Sequence, residues 1–206
     1  MNITDTTPTE SNLSGLDRKD FQKNINSRKT DLYILKNAQG MEVAVTNYGC
    51  AILSIMMPDK NGKFANVILG HDSIEHVINS PEPFLSTTIG RYGNRIANGK
   101  FTLYGEEHQL TVNNGPNSLH GGPTGFHARV WDAVQPNEST VIFNYTSADG
   151  EEGFPGTLEV EMTYRLEDEA NALVIEYRAT TDKATVVNLT NHGLISLVFP
   201  IPHLLF

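Results

Sequence analysis

Apolar and polar residues alternate strictly in one stretch of this sequence. Every second residue from Leu158 to Leu166 is apolar, and the residues between them are charged or polar. These five apolar positions match a period of two, which is typical of a β-strand with one buried face. The stretch 171–178 repeats the pattern less strictly. We therefore predict strands in both stretches.

Apolar runs and turn-forming residues predict further strands earlier in the chain. The runs 41–46 and 51–56 are strand-like, and 58–62 (Pro-Asp-Lys-Asn-Gly) has the composition of a turn. Residues 101–112 are typical of a hairpin around a central glycine. Only 71–78 has a helical pattern, and it is short. The sequence predicts an all-β fold of stacked antiparallel sheets.

Composition narrows the class of partner. The 206 residues are 39% hydrophobic, which suits one sizeable domain or most of a larger one. The net charge of −9 argues against nucleic acid or an anionic membrane surface as the main partner, but not against a neutral sugar. Cys50 is the only cysteine, so no intramolecular disulfide forms, and we expect a small buried side chain.

The first twenty residues differ from the rest of the chain. Residues 1–20 are polar and low in large apolar groups, so we expect a flexible lead-in. They have neither the basic start nor the apolar segment of a signal peptide. The predicted location is therefore the cytoplasm.

Two loops combine polar side chains with glycine. GRYGNRIANGKF (90–101) places Arg91, Asn94 and Arg95 among glycines. A guanidinium fork and an amide suit the hydroxyls of a small polar ligand, although a solvated surface turn has the same composition. GEEGFPG (150–156) carries two acids that either bind a hydroxyl or merely turn the chain.

Three histidines lie in suggestive positions. In PNSLHGGPTGFH (116–127), His120 precedes two glycines that allow a close approach of the backbone to a ligand; a structural turn histidine is the alternative. His127 has less to recommend it, and we expect a structural role. VVNLTNH ends in His192, and an imidazole held at a strand end suits proton transfer, although this segment alone slightly favours a hydrogen-bonded core histidine.

Two further motifs fail on spacing. GNRIANGK (93–100) has one residue too many for a phosphate loop and lacks its final Ser or Thr. His71, Glu75 and His76 are spaced wrongly for an inverted zinc-protease motif. We therefore predict no metal site.

Taken together and in order, several segments resemble the aldose 1-epimerase (galactose mutarotase) family. The resemblance runs from about residue 15 to His192, and the ordered set is specific although each piece is short. The matching segments are NYGCAILSIMMPDKNG, VILGHDS, IGRYGNRIANGKF, NNGPNSLHGGPTGFH, the Trp131 segment, DGEEGFPG and VVNLTNH.

The resemblance implies a fold and a reaction. It implies a large antiparallel β-sandwich, the galactose mutarotase-like supersandwich, over residues 21–192. It also implies an isomerase that interconverts the α and β anomers of aldohexoses such as galactose and glucose, without metal or organic cofactor. A general base takes the proton of the anomeric hydroxyl while a general acid protonates the ring oxygen, and the ring opens, rotates about C1–C2 and closes.

The resemblance also implies roles for four residues. By motif, His192 is the general acid, and His120 lies near the ring oxygen and helps to position it. Asn94 and Arg95 bind sugar hydroxyls, and the glycines after His120 let the loop lie against the sugar. The implied partner is a small aldose, with no nucleic acid and no membrane; the oligomeric state is left open.

The end of the sequence departs from the family pattern. After His192, family members continue with a small residue, two aromatics and Asn-Leu, whereas this chain has an uncharged apolar tail at 193–206. The resemblance implies a sugar-binding Asp and a Glu general base in a later part, and neither is in this sequence. We hypothesise that the sandwich is incomplete, truncated after His192. The alternatives are a catalytically incompetent sugar-binding β-sandwich and a fragment that does not fold alone.

Overall fold

A computed structural model describes residues 12–196, whose regular structure is mainly antiparallel β-sheet. Two four-stranded sheets dominate, one built from four consecutive strands within residues 32–66 and the other from four consecutive strands within 132–181. The helix α1 spans Ile74–Ile78. The strands are β1 (Asn24–Ile25), β2 (Arg28–Lys29), β3 (Leu32–Lys36), β4 (Glu42–Thr46), β5 (Ile52–Pro58), β6 (Phe64–Asn66), β7 (Thr88–Ile89), β8 (Arg95–Ile96), β9 (Lys100–Leu103), β10 (Glu106–Gln109), β11 (Ser118–Leu119), β12 (Asp132–Asn137), β13 (Thr140–Ser147), β14 (Leu158–Leu166), β15 (Leu173–Thr181) and β16 (Thr190–Asn191).

The strict alternation in the sequence corresponds to a central strand. β14 has the predicted bounds, and its apolar residues are buried while Glu159 is exposed. It pairs antiparallel with β13 on one side and with β15 on the other. Burial of one face explains the period of two, because successive side chains of a strand point to opposite faces. The prediction of an all-β fold of antiparallel sheets is confirmed.

The first sheet is covered on both faces, which explains its continuous apolar runs. In β4, Val43 and Val45 pack into the core between the two sheets, whereas Ala44 packs on the other face with Phe21 and Val77. A strand buried on both faces has no solvated side, which explains the nearly continuous apolar run 51–56, most of which lies in β5. In 41–46 the outer-face residues Glu42 and Thr46 are polar but buried. α1 contributes to that outer layer.

The main core lies between the sheets and extends to the segment that precedes β12. Trp131 is 1% exposed, and its indole ring contacts the rings of Phe126 (5.4 Å between centroids) and Tyr145 (5.3 Å). The indole Nε1 donates to the Phe126 carbonyl at 3.3 Å, which satisfies its one polar group. This packing fixes the segment 126–131, which follows the His120 loop.

Two predicted turns are present, and the helix is shorter than predicted. β9 and β10 are joined by Tyr104 and Gly105, both with positive φ (51° and 87°), as in a type I′ hairpin turn. The turn after β5 is closed by Asp59, whose Oδ1 accepts from two backbone N–H groups. α1 begins at Ile74 rather than at residue 71 because Ser73 caps it, accepting from His76 N.

The predicted boundaries fall partly outside the described residues. Residues 1–11 of the predicted lead-in and 197–206 of the predicted tail lie outside them. Within the described part of the lead-in, the N–H groups of Leu13 and Ser14 donate to the buried Glu42 carboxylate (2.9 and 3.0 Å). The division at residues 20 and 192 stays a prediction. Among residues 12–196 we find no helix long and apolar enough to cross a bilayer.

Candidate active site

Two short antiparallel ladders bring distant segments together. β8 pairs with β11, so that Leu119 lies opposite Arg95, and β7 pairs with β16, so that Asn191 lies opposite Thr88. Each pairing ends next to a histidine that the sequence singled out. The imidazoles of His120 and His192 lie with ring centroids 5.1 Å apart and planes at 83°.

His120 is held in one tautomer by the backbone of Asn94. Its N–H donates to the Asn94 carbonyl at 3.0 Å, and its ring Nδ1 lies 3.0 Å from the Asn94 backbone N. A backbone N–H can only donate, so Nδ1 is the acceptor and the proton of the neutral ring is on Nε2. Burial lowers the pKa of His120, and the charges of His192 and Arg95 lower it further. His120 therefore presents a neutral Nε2–H donor.

His192 is fixed by its backbone on both sides. Its N–H donates to the Thr87 carbonyl at 2.9 Å, and its carbonyl accepts from the Ser86 N–H at 3.1 Å. The ring is half-buried, and its buried Nδ1 has no hydrogen-bond partner within the described residues. Ring packing and backbone bonds therefore set the orientation of this imidazole.

Asn94 and Arg95 form the exposed side of the same cluster. Asn94 has a left-handed backbone (φ 69°), and its Oδ1 accepts from the Arg95 N–H at 2.9 Å. The Arg95 Nε donates to Asn114 Oδ1 at 2.9 Å, which fixes the plane of the guanidinium. The structure thus brings all four predicted site residues into one cluster; the roles of Asn94, Arg95, His120 and His192 stay predictions.

Phe84 belongs to the cluster, although no sequence pattern singles it out. Its ring centroid lies 4.8 Å from that of His120, 4.5 Å from that of His127 and 6.5 Å from that of His192. Phe84 follows a Pro-Glu-Pro segment without histidine or glycine nearby, so no pattern linked it to the site.

His127 lies behind this ring and is 4% exposed. Burial is the largest cause that lowers its pKa to about 4, so the ring is neutral at pH 7. Its Nδ1 is buried without a hydrogen-bond partner within residues 12–196. A neutral, enclosed imidazole of this kind packs as an aromatic side chain.

The two glycines after His120 allow close contacts within the protein. A Cβ at Gly121 would lie 1.9 Å from the Gly90 carbonyl oxygen, and one at Gly122 would lie 2.6 Å from a Glu152 carboxylate oxygen. Both have φ near +90° (+85° and +98°). Both Cβ positions therefore face the protein itself, and the expectation that the loop lies against a sugar stays a prediction.

Arg91 anchors the loop 90–95 to the protein interior. Its guanidinium is 2% exposed and donates to the carbonyls of Ser147, Ala148 and Pro155 at 2.9 to 3.0 Å. Its Nε donates to Ser147 Oγ, which in turn donates to Glu151. A buried cation with this many acceptors is structural and ties residues 90–95 to the 147–155 segment.

The two acids of the 150–156 loop are also bonded within the protein. Glu151 accepts from the Tyr145 hydroxyl at 2.6 Å, and Glu152 accepts from the backbone N–H and the hydroxyl of Thr124. The sequence left open whether these acids bind a ligand hydroxyl or merely turn the chain, and these internal hydrogen bonds favour the turn. The described residues contain no group of three or more His, Cys, Asp or Glu that could hold a metal ion.

Comparison with known proteins shows the family to which the chain belongs. The aldose 1-epimerase family model matches residues 31–198, most of the chain. The chain belongs to the aldose 1-epimerase family. The aldose 1-epimerase of Escherichia coli K12 is 43% identical over 166 residues, and the galactose mutarotase of Bos taurus is 41% identical over 157 residues.

Solved structures of aldose 1-epimerase relatives share the fold. An aldose epimerase homologue from C. elegans superposes with a TM-score of 0.77 at 33% identity, covering 81% of this chain and 51% of that one. The galactose 1-epimerase of Lactobacillus acidophilus gives 0.75 at 31% identity, covering 84% and 51%. The chain spans about half the length of its relatives: the matches cover 81% and 76% of this chain, but 47% of the E. coli protein and 45% of the bovine one.

Proposed function

We propose that this chain carries the general acid and sugar-binding residues of an aldose 1-epimerase active site. The reaction is the interconversion of the α and β anomers of a free aldohexose such as galactose or glucose. The observation that carries the proposal is the imidazole pair His120–His192, at 5.1 Å, beside the polar side chains of Asn94 and Arg95. Relatives named galactose mutarotase and galactose 1-epimerase support a sugar substrate of this class.

In the proposed reaction, His192 donates a proton to the ring oxygen while a base takes the proton of the C1 hydroxyl. The bond between C1 and the ring oxygen breaks, which gives the open-chain aldehyde. Rotation about C1–C2 and closure from the other face return both protons and produce the second anomer. His120, neutral with its proton on Nε2, donates a hydrogen bond that positions the ring oxygen.

The polar side of the cluster suits a neutral ligand rich in hydroxyls. The Arg95 guanidinium offers donors in a plane set by Asn114, and the exposed Asn94 amide offers both donor and acceptor. A formal charge of −9 does not disfavour an uncharged sugar. A cytoplasmic location is part of the proposal.

The family resemblance implies a Glu as the general base. We assign this role to none of the 206 residues. A positioned general base contributes roughly 10²–10⁴-fold in rate. We therefore expect the 206-residue chain to accelerate anomer exchange measurably but weakly, with solvent water as the base.

The proposal is tested by polarimetry on freshly dissolved α-D-galactose and α-D-glucose. Acceleration over buffer in proportion to protein concentration is expected for the 206-residue chain. Sugar binding should be followed in parallel through chemical shifts of the histidine rings. Rates equal to buffer, together with unchanged shifts at high sugar concentration, would refute the proposal.

Asn114→Ala is expected to weaken sugar binding about tenfold while leaving the rate at saturating sugar nearly unchanged. The change removes the acceptor that fixes the Arg95 guanidinium, so binding loses a pre-oriented donor in ground state and transition state alike. Asn144→Ala, an exposed amide on β13, is the matched control. A loss of rate at saturation with unchanged affinity contradicts this role for Asn114.

A further inference from the structure

Phe84 contacts all three histidines of the site cluster, but it takes part in no step of the proposed reaction. Its ring meets those of His120 and His127 at interplanar angles of 61°, with centroids 4.8 and 4.5 Å away. His120 and His192 come from separate segments of the chain. The half-buried Phe84 ring lies next to both, with its centroid 4.8 Å from that of His120 and 6.5 Å from that of His192, and so limits how far the two imidazoles can move relative to each other.

Backbone hydrogen bonds couple Phe84 to His192. The Phe84 carbonyl accepts from the Thr87 N–H at 3.1 Å and from the Thr87 hydroxyl at 2.8 Å. The Thr87 carbonyl in turn accepts from the His192 N–H at 2.9 Å. Phe84 and His192 are therefore held by one turn, and the Phe84 ring is the part of that turn that reaches His120.

His127 gives the Phe84 ring a rigid backing. It is 4% exposed, and Gly49 packs so closely on its backbone that a Cβ at position 49 would lie 2.2 Å from the His127 carbonyl oxygen. His127 cannot retreat from the ring without moving this contact. The half-buried Phe84 ring therefore packs against both His127 and His120.

We propose that Phe84 is a positioning residue for the imidazole pair: backed by His127, its ring holds His120 and His192 at their edge-to-face separation and shields His120 from water. The expected effect on the rate rests on the proposed function. The expected effect on the position and hydration of His120 does not. It predicts that a smaller side chain at position 84 loosens the pair and hydrates His120.

The test combines a titration and a rate in the 206-residue chain. Phe84→Ala is expected to raise the pKa of His120 towards its ordinary value, measured by NMR of its ring nitrogens, because burial is the largest cause that lowers it. The groups that face His120 are His192, Arg95 and His127, and the histidines among them are followed in the same spectra. The rate at saturating sugar is expected to fall about tenfold to a hundredfold, with little change in KM, because geometry and not contact is lost.

Two further variants make the result decisive. Phe84→Leu, which keeps most of the volume, is expected to give the same changes at smaller size, and it carries the test if Phe84→Ala does not fold. Phe101→Ala removes a ring that stacks at 5.0 Å on His108, outside the site cluster, and is expected to leave the His120 titration unchanged.

The outcomes separate this proposal from the proposed function. An unchanged His120 titration in a folded Phe84 variant overturns the positioning role, whatever the rates. A raised His120 pKa in the Phe84 variant, together with a wild-type chain that neither binds nor isomerises sugar, supports the positioning role and refutes the function. A lost rate with a raised pKa and an unchanged KM supports both.

Discussion

Replacement of His192 by Ala is expected to remove the protein-dependent acceleration and return anomer exchange to the buffer rate, because a positioned proton donor contributes roughly 10²–10⁴-fold. The backbone of His192 is fixed by hydrogen bonds to Thr87 and Ser86, so removal of the imidazole leaves the loop in place. Asn94, Arg95 and His120 are untouched, and sugar affinity should change only a few-fold. Polarimetry gives the rate, and the sugar-dependent shifts of His120 give the affinity.

A surface histidine provides the control for His192→Ala. His76 lies on α1 with 53% of its side chain exposed, and it pairs with Asp72 rather than with any residue of the cluster. His76→Ala should keep the wild-type rate. If His192→Ala also keeps it, the acid is another group, and His120 becomes the first candidate because its Nε2 carries a proton and its ring lies 5.1 Å from that of His192.

The sheets could be predicted from the sequence because the information is local. The alternation in 158–166 arises because one face of the strand is buried, and the bounds predicted from it agree with those of β14. The strand β13 was not predicted, because its Val-Ile-Phe start breaks the period of two. The helix prediction at 71–78 was too long, because a helical pattern does not reveal that Ser73 turns outward to cap the first turn.

The site could be predicted only in part, because some of its members act through contacts that are distant in the sequence. His120, His192, Asn94 and Arg95 were selected by residue type, glycine neighbours and family motif. Phe84 carries no such signal, since an aromatic residue in a polar turn is ordinary, and its importance arises from ring contacts across three segments.

Buried residues that support the site are equally hard to identify from the sequence. Arg91 was grouped with the ligand-binding side chains because guanidinium groups suit hydroxyls, yet it points into the protein and bonds backbone carbonyls. The direction of a side chain beside glycines depends on the backbone path. Sequence spacing does not determine that path.

Gly121→Ala is expected to destabilise the protein by more than about 3 kcal/mol and to abolish the protein-dependent rate. The new Cβ would lie 1.9 Å from the Gly90 carbonyl oxygen and 2.8 Å from the Arg91 N, which are backbone atoms that no rotamer change can move. Relief requires the loop to shift away from Gly90, and His120, the preceding residue, must move with it. Urea denaturation measures the loss of stability, and polarimetry measures the loss of rate.

Gly115→Ala separates this clash from the cost of a left-handed backbone. Gly115 also has positive φ (+58°), but nothing lies within 4 Å of the Cβ position. Its substitution should therefore cost only the conformational penalty of an L-residue, about 1–2 kcal/mol, and leave the rate unchanged. Equal losses of stability in the two variants would mean that the contact between the His120 loop and Gly90 is not tight. A much larger loss for Gly121→Ala, with the His120 ring resonances displaced, would mean that this backbone contact sets the position of the imidazole.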